Sequence, residues 1–343
     1  MSNTDIRYEI LEKPATGATM QVADGVHWLR MPLPFALNHI NLWLIQDQDG
    51  WALVDTGLGD KATRDLWQGI FARSMGGKPL TRVLVTHMHP DHVGCAGFLT
   101  SHFDVDLWMS RDEYLLCRIL VADTGREVPD EGTEFYRAAG YSDEQMDQYR
   151  KMFGYFGRFV TPLPESYRRL QDGMQLKIGG HGWEVVVGRG HSPEHACLFN
   201  HDLNLVAGGD QLLPAISANV SVYPTEPAAN PLHDWIETLT TIRNRLPADV
   251  LVLPAHGKPY RGVHERIDEL IRHHLSRLDA LLDYMRTPQR AIDVFPALYH
   301  RQITPENLMF ATGEAIAHLN YLIDRNEIVA ETDRDGLRWY RRI

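Results

Sequence analysis

The sequence predicts an α/β fold in which two β-sheets pack face to face between outer layers of helices. Short apolar runs bounded by turn residues alternate with segments of helical spacing, which is typical of layered α/β folds. Several later runs end in a Gly or Pro break followed by His or Asp, so each would carry a polar residue to a strand end. From about Val263 onward, helical spacing gives way to a hairpin pattern, which predicts an additional α+β module.

The first sheet is predicted from three short apolar runs near the N-terminus. These runs are residues 26–30, 41–45 and 51–54. Their length and composition are typical of strands, and turn residues such as those at 47–50 separate them. A helix is expected from Asp91 onward, and a further strand is expected at residues 105–108.

A cluster of metal-binding residue types follows the apolar run at residues 83–85. Residues 86–94 read Thr-His-Met-His-Pro-Asp-His-Val-Gly and contain His87, His89, Asp91 and His92. Neutral imidazole suits zinc, iron and similar metals, and a carboxylate adds the negative charge that holds a second ion nearby. The pattern therefore predicts a dinuclear metal site. The alternative, a solvated loop that is merely rich in His, does not suit a cluster that leaves a buried strand.

Three later strand-like runs also lead to a candidate ligand. The run at residues 183–187 leads to His191, the run at 203–207 leads to Asp210, and the run at 250–253 leads to His256. Because each side chain follows a strand, we expect all three at one rim of the sheets. Together with the earlier cluster they provide enough ligands for two metals that share a carboxylate.

This set of residues, in this order, resembles the metallo-β-lactamase superfamily. The resemblance implies a four-layer αβ/βα sandwich for residues 1–262 and two divalent metal ions as cofactors, with zinc expected and iron or manganese as alternatives. The first metal would be bound by His87, His89 and His191. The second would be bound by Asp91, His92 and His256, with Asp210 as the bridge. Asp91 and Asp210 are the candidate catalytic residues.

Asp55 is a candidate for supporting these ligands from outside the metal site. It lies in the segment Val54-Asp55-Thr56-Gly57, which is similar to a strand-to-turn segment of the superfamily. A metal-bound imidazole usually donates its other N–H to such an acidic group, so Asp55 would brace the loop beneath the ligands. The alternative is a plain Asx-turn before Gly57.

Two stretches near the predicted ligands suggest substrate contacts. The charged helical segment at about residues 110–172 is interpreted as an insertion, and its part at 149–159 fits either a mobile lid or an amphipathic helix packed on the sandwich. The proline-containing loop at 214–231 carries the candidate substrate-binding residues Asn219 and Tyr223. His195, placed on a loop, is a third candidate for substrate binding or for protonating the leaving group, with a structural role as the alternative.

Residues 263–343 are predicted to form a C-terminal module. Apolar residues three and four apart predict a helix over 267–285, in which His274 is interpreted as a packed side chain. Thr304-Pro305-Glu306 indicates a second helix start, and residues 328–330 and 337–340 flank a hairpin turn. Helices followed by a hairpin look like the winged helix of one branch of the superfamily. The module carries 11 Arg and 13 Asp or Glu, which makes its net charge −2, so nucleic acid is not the favoured partner.

Composition predicts a cytoplasmic enzyme without disulfides. The chain has a net charge of −11, no apolar stretch of the roughly 20 residues needed to span a bilayer, and no signal-peptide pattern at its start. Three cysteines without Cys-x-x-Cys spacing do not favour a disulfide framework. A membrane partner is therefore not expected, and a homo-oligomer is left open.

The expected function is that of a dinuclear metal-dependent hydrolase similar to hydroxyacylglutathione hydrolases. A hydroxide bridging the metals would attack a small, anionic ester or thioester substrate, and Asp91 or Asp210 would accept the proton. A phosphodiesterase or ribonuclease of the same superfamily is the first alternative, although an acidic protein repels polyanions. Lactam hydrolysis and a mononuclear iron dioxygenase are less favoured. An alternative of another class is a metal-containing sensor or DNA-binding regulator.

Overall fold

The computed structural model describes residues 6–343 and contains the following elements in chain order. The strands are β1 Thr19–Ala23, β2 Val26–Pro32, β3 His39–Asp47, β4 Gly50–Val54, β5 Leu80–Leu84, β6 Leu107–Met109, β7 Arg168–Arg169, β8 Gln175–Ile178, β9 His181–Gly188, β10 His195–Asn200, β11 Leu205–Gly209, β12 Leu251–Pro254, β13 Ile328–Thr332 and β14 Arg338–Arg342. The helices are α1 Lys61–Arg73, α2 Pro90–Val93, α3 Ala96–Phe103, α4 Arg111–Ala122, α5 Asp130–Ala138, α6 Asp143–Met152, α7 Pro231–Arg245, α8 Val263–Tyr284, α9 Phe295–Leu298 and α10 Leu308–Asp324. A 3₁₀ turn spans Phe156–Phe159.

The strands form two large sheets and one hairpin. The first sheet has the order β1-β2-β3-β4-β5-β6-β7, antiparallel up to β4 and parallel beyond it. The second sheet has the order β12-β11-β10-β9-β8, in which only the pair β11 and β12 is parallel. The strands β13 and β14 pair with each other as an antiparallel hairpin.

Alternate residues along a strand point to opposite faces of its sheet and so belong to different layers of the core. In β3, Trp43 points into the space between the two sheets, where it joins Trp183 and Leu198 of the second sheet. Leu44, the next residue, points to the opposite face and joins the core beneath α1 and α3. On the far side of the second sheet, Trp235 and the rest of the buried face of α7 form the other outer core. The mixed α/β sandwich with outer helices predicted from the sequence is therefore confirmed.

Two helix boundaries differ from the predictions. The helix expected from Asp91 onward is divided, because α2 ends at Val93 and α3 begins at Ala96. The helix start predicted at Thr304 is wrong, since α10 begins at Leu308. The Asn307 side chain accepts a hydrogen bond from the Thr304 backbone N–H at 2.8 Å, which holds this segment as a turn before the helix.

The helices of the predicted insertion pack on the C-terminal part of the chain. Tyr136, Tyr141 and Tyr149 form a buried cluster with Leu308 at the start of α10. The Tyr141 hydroxyl also lies 2.9 Å from the Thr312 hydroxyl. Within residues 149–159, Tyr149 joins this cluster, and Phe156 and Phe159 pack partly buried against the core beneath α1 and α3. The choice between a mobile lid and a packed helix stays a prediction.

The C-terminal module shares its core with the second sheet. Leu239 of α7, Ile267 of α8, Leu319 of α10 and Tyr340 of β14 belong to one continuous buried cluster. The winged-helix interpretation and the division at residue 262 stay predictions. Among residues 6–343, no helix is both long and apolar enough to cross a membrane.

Candidate metal centre

The candidate ligands lie together at one rim of the sandwich. The motif that contains His87 follows β5 of the first sheet, whereas His191, Asp210 and His256 follow β9, β11 and β12 of the second sheet. The backbone also joins the two sides, since the Ala196 N–H donates to the Thr86 carbonyl at 2.8 Å. The structure therefore brings all the side chains predicted as ligands into two adjacent groups.

The first group consists of His87, His89, His191 and Asp210. The His191 Nε2 lies 3.2 Å from the His87 Nε2 and 3.4 Å from an Asp210 oxygen, Oδ2. The His89 Nδ1 lies 2.8 Å from the His87 Nε2. Ligands bound at about 2.1 Å around a tetrahedral ion are separated by roughly 3.4 Å. These spacings therefore fit a single metal ion.

The second group consists of Asp91, His92 and His256, and Asp210 adjoins it. The His256 Nε2 lies 3.4 Å from Asp91 Oδ2 and 3.4 Å from Asp210 Oδ1. The His92 Nε2 lies 3.5 Å from the same Asp210 oxygen. Asp210 thus presents one carboxylate oxygen to each group, which is the placement that a bridging ligand requires.

Two buried atoms support the fit of these residues to metal ions. The His92 Nε2 and the Asp210 Oδ1 are buried and have no hydrogen-bond partner among the residues that the structure describes. A buried polar atom without a partner costs about 1–3 kcal/mol. A cation between these atoms would bind both lone pairs, so the donor set suits a divalent metal.

Hydrogen bonds on the far side of the imidazoles fix their tautomers. The His191 Nδ1 donates to the Asn219 carbonyl at 2.8 Å, and the His256 Nδ1 donates to the His39 carbonyl at 2.7 Å. In the neutral form of each ring, the Nε2 then carries the lone pair and faces the carboxylates. This is the form in which histidine binds metals.

Asp55 lies directly behind His92. Its Oδ2 accepts a hydrogen bond from the His92 Nδ1 at 2.8 Å, and its Oδ1 accepts from the Thr86 backbone N–H at 2.8 Å. Asp55 has a positive φ of 60°, which is uncommon for a residue other than Gly and persists only where the surroundings impose it. The structure thus places the carboxylate where the predicted bracing role requires it.

Burial and the neighbouring charged groups together set the charge of the histidines and carboxylates. Burial, reinforced by the neighbouring His191, lowers the pKa of His89 to about 3, so this imidazole is neutral near pH 7. For Asp210, burial alone would raise the pKa, but His256 and His92 outweigh it and hold the pKa of this carboxyl well below its usual value. His89 and Asp210 therefore have the forms that bind divalent cations, a neutral imidazole and an ionised carboxylate. For His92 and His256, burial alone would lower the pKa, but the neighbouring carboxylates outweigh it and raise the pKa of both rings.

Glu113 is a buried residue near the site that the sequence reasoning missed. Its carboxylate accepts hydrogen bonds from the Met88 N–H at 2.9 Å and from the Glu194 N–H at 2.8 Å, and so it joins the two loops that carry His87 and His191. Burial raises the pKa of Glu113. Glu113 lies in the first turn of α4, where an acidic residue is ordinary, so the sequence contains no signal of its distant partners.

The structure places the three candidate substrate residues differently from one another. The prediction that His195 lies on a loop is wrong, because it is the first residue of β10 and is fully buried. Its Nε2 accepts from the Asp210 N–H at 3.1 Å. Its position fits the structural alternative. Asn219 supplies its carbonyl to His191, and its side chain contacts α10. Tyr223 is 37% exposed as a residue, although burial raises the pKa of its hydroxyl.

Comparison with known proteins agrees with this geometry. The chain is 25% identical over 310 residues to the probable metallo-hydrolase YqjP of Bacillus subtilis (strain 168). The aligned region covers 86% of this chain and 91% of that protein. It is also 25% identical over 180 residues to the hydroxyacylglutathione hydrolase GloC of Haemophilus influenzae, and this alignment covers 51% of this chain and 68% of that protein.

A solved structure is similar over nearly the whole length. It is a beta-lactamase domain protein from Burkholderia ambifaria, with a TM-score of 0.90, 40% identity and 98% coverage of both chains. Residues 278–343 match the family described as "Metallo-beta-lactamase-like, C-terminal domain". Residues 37–256, which are most of the chain and include every candidate metal ligand, match the family described as "Metallo-beta-lactamase superfamily". The chain therefore belongs to the metallo-beta-lactamase superfamily.

Proposed function

We propose that this chain is a dinuclear metal-dependent hydrolase that acts on a small ester or thioester. The observation that carries the proposal is the position of Asp210 between two groups of ligands. Its two oxygens lie 3.4 Å from the His191 Nε2 on one side and 3.4 Å from the His256 Nε2 on the other. A carboxylate shared in this way is the arrangement expected of a two-metal site.

The proposed roles of the residues follow from their positions. His87, His89 and His191 would hold one ion, and Asp91, His92 and His256 would hold the other. When bound, two divalent ions polarise the substrate carbonyl and lower the pKa of a water molecule, and zinc is the expected metal. The carboxylates of Asp91 and Asp210 are the chain's own groups that can accept a proton from that water. The Asp91 side chain is 20% exposed, whereas the Asp210 side chain is 12% exposed and its Oδ1 is buried, so Asp91 is the more accessible of the two carboxylates.

Charge and similarity support the choice of substrate class. A net charge of −11 disfavours long polyanions such as RNA but does not exclude one anionic group held locally. Similarity to a protein named hydroxyacylglutathione hydrolase supports a thioester. The C-terminal module, with its net charge of −2 and its packing against α7, supports a structural role over duplex binding.

The test compares metal content with turnover on several substrate classes. We expect about two equivalents of metal per chain and metal-dependent hydrolysis of an acylglutathione or acyl-coenzyme A thioester that exceeds hydrolysis of a lactone and of a bis-aryl phosphodiester. Asp91→Ala and Asp210→Ala should each lower kcat by at least about a hundredfold. Asp65→Ala, at an exposed position in α1, is the matched control and should leave turnover unchanged.

Three results would count against the proposal. If protein purified without chelators contains no metal and takes none up, the proposed metal site is wrong. A phosphodiester rate far above the thioester rate would reassign the substrate class. Tight duplex binding without metal-dependent turnover on any substrate would favour the regulator alternative.

A further inference from the structure

The orientation of His191 depends on a loop that is anchored outside the metallo-beta-lactamase sandwich. We call residues 211–230, between β11 and α7, the bracing loop. The Asn219 carbonyl in this loop accepts the hydrogen bond from the His191 Nδ1 at 2.8 Å. Because the opposite ring nitrogen faces Asp210 at 3.4 Å, any shift of that carbonyl would turn the imidazole away from the other ligands.

The side chain of Asn219 is held by a buried carboxylate of the C-terminal module. Its Nδ2 donates to the Glu314 Oε2 of α10 at 3.2 Å. The other Glu314 oxygen accepts from Arg277 of α8 at 2.8 Å, and the Tyr299 hydroxyl donates to Glu314 at 3.2 Å. Only 12% of the Glu314 side chain is exposed, so these partners, rather than water, fix its position.

The bracing loop and α10 are in direct backbone contact beside Asn219. The Val222 N–H donates to the Gly313 carbonyl at 3.1 Å. A Cβ at position 313 would lie 2.7 Å from the Ser221 Cβ and 2.9 Å from the Val222 carbonyl oxygen. Only glycine permits this approach, which shows that the loop is closely packed on the helix.

A second buried chain of hydrogen bonds anchors the same loop. The Ser217 hydroxyl lies 3.3 Å from the His274 Nε2, and the His274 Nδ1 lies 3.3 Å from the His318 Nε2. The His318 Nδ1 donates to the Glu314 carbonyl at 2.7 Å. His274, Glu314 and His318 have the residue types of a metal site. Each ring nitrogen already has a partner, however, and Arg277 neutralises the carboxylate, so we interpret this cluster as an anchor.

We propose that Glu314 is a positioning residue for the first metal site and acts on His191 through Asn219. The C-terminal module is then part of the metal centre, although it supplies no ligand. The inference depends on the proposed function, because it needs a metal at His191. Substitution of a residue that hydrogen-bonds to a metal-bound histidine typically lowers metal affinity about 10- to 100-fold, and we expect an effect of this size when the contact of Glu314 with Asn219 is broken.

The test uses a pair of variants that break and then restore the Asn219 contact. Asn219→Asp places two carboxylates against each other but keeps the backbone carbonyl that His191 uses. The double variant Asn219→Asp/Glu314→Gln restores a donor, since the glutamine amide can donate to the new carboxylate while its oxygen still accepts from Arg277. Metal affinity is measured by competition with a chromogenic chelator for Zn²⁺ and Co²⁺, together with the rate of metal release. We expect one of two metals to bind about 10- to 100-fold more weakly in Asn219→Asp and to recover in the double variant.

Ile178→Ala is the control for a general loss of stability. Ile178 lies in β8 and is buried in the core between the two sheets, in which the described residues include none of the bracing loop. It should lower the unfolding temperature and leave metal affinity unchanged. Three results would each overturn the positioning role: unchanged metal binding in Asn219→Asp, no recovery in the double variant, or equal metal loss in Ile178→Ala. Failure of the wild-type protein to bind any metal would instead overturn the proposed function, and this inference with it.

Discussion

At the scale of single residues, the candidate metal centre is held in place by side chains outside the predicted set of ligands. Asp55, Glu113 and His195 each accept hydrogen bonds from a ligand or from the backbone of a ligand loop. A metal ligand whose side chain can rotate binds metal less tightly, because ordering that side chain on binding costs free energy. Substitution of these residues therefore tests the site without removing a ligand.

Asp55→Asn is the clearest such substitution. Asparagine tolerates the positive φ of 60° at this position, so the backbone is preserved while the charged acceptor for His92 is lost. We expect metal affinity to fall about 10- to 100-fold. The metal-free protein should also lose about 1–3 kcal/mol in its free energy of unfolding, because the Thr86 N–H donates to this buried carboxylate as well. Equilibrium competition with a chelator measures the affinity. Asp104→Asn makes the same change at a φ of 54° at the end of α3 and is the control. Equal affinities for the two variants would contradict the role of Asp55.

At the scale of elements, α3 is positioned by close contacts with the segment that follows the 3₁₀ turn. The Thr161 N–H and hydroxyl both bond to the Gly94 carbonyl, each at 2.7 Å. Gly97 in the first turn of α3 faces the Pro162 carbonyl at a distance that leaves no room for a Cβ. The ligand loop that precedes α3 is therefore held from behind by backbone contacts.

Gly97→Ala tests this packing. The added methyl would collide with backbone atoms that cannot move aside, so we expect a loss of about 1–3 kcal/mol in the free energy of unfolding. Gly69→Ala in α1 is the matched control, because a Cβ there meets only the flexible end of Arg73. That control should be neutral or gain up to about 1 kcal/mol from helix propensity. Urea unfolding of both variants decides the matter, and similar stabilities would refute the packing argument.

At the scale of the whole molecule, Asp47 joins the two sheets near the start of β5, at the end of that strand opposite the ligand motif. Its carboxylate accepts hydrogen bonds from Thr81 at 2.8 Å and Arg82 at 2.8 Å in the first sheet. It also accepts from the Gly179 N–H at 3.1 Å in the turn between β8 and β9. Burial alone would raise the pKa of Asp47, but these hydrogen bonds outweigh it and lower the pKa below its usual value.

The lowered pKa makes the contribution of Asp47 depend on pH. A carboxyl with a lower pKa in the folded state stabilises the protein above its unfolded pKa of about 3.9, and this stabilisation is lost as the pH falls through the folded pKa. Asp47→Asn should therefore lower the free energy of unfolding by about 1–3 kcal/mol at pH 7, and the difference from wild type should shrink below about pH 4. Denaturant unfolding at several pH values measures it. Asp49→Asn, on the same turn but exposed, should have no such effect. A difference that is independent of pH would contradict this account.

Much of the sandwich and the approximate position of the site could be predicted, because both depend on local patterns. Apolar runs of strand length marked most strands of both sheets, and the residues that follow those runs are the ones that the structure brings to the rim. The long helix α8 followed from its apolar spacing. The start of α10 was not predicted, because a capping pattern at Thr304 is satisfied equally well by a turn.

The sequence by itself determined the residue types at the metal centre, the layered fold and the superfamily. Only the tertiary structure decided that Glu113 bonds to Glu194, 81 positions away, that His195 is buried behind Asp210, and that α10 holds the loop carrying Asn219. The physical reason is the distance along the chain between the residues that interact. A strand or a motif depends on neighbours along the chain, whereas a hydrogen bond between distant segments exists only after close packing has brought the two atoms together.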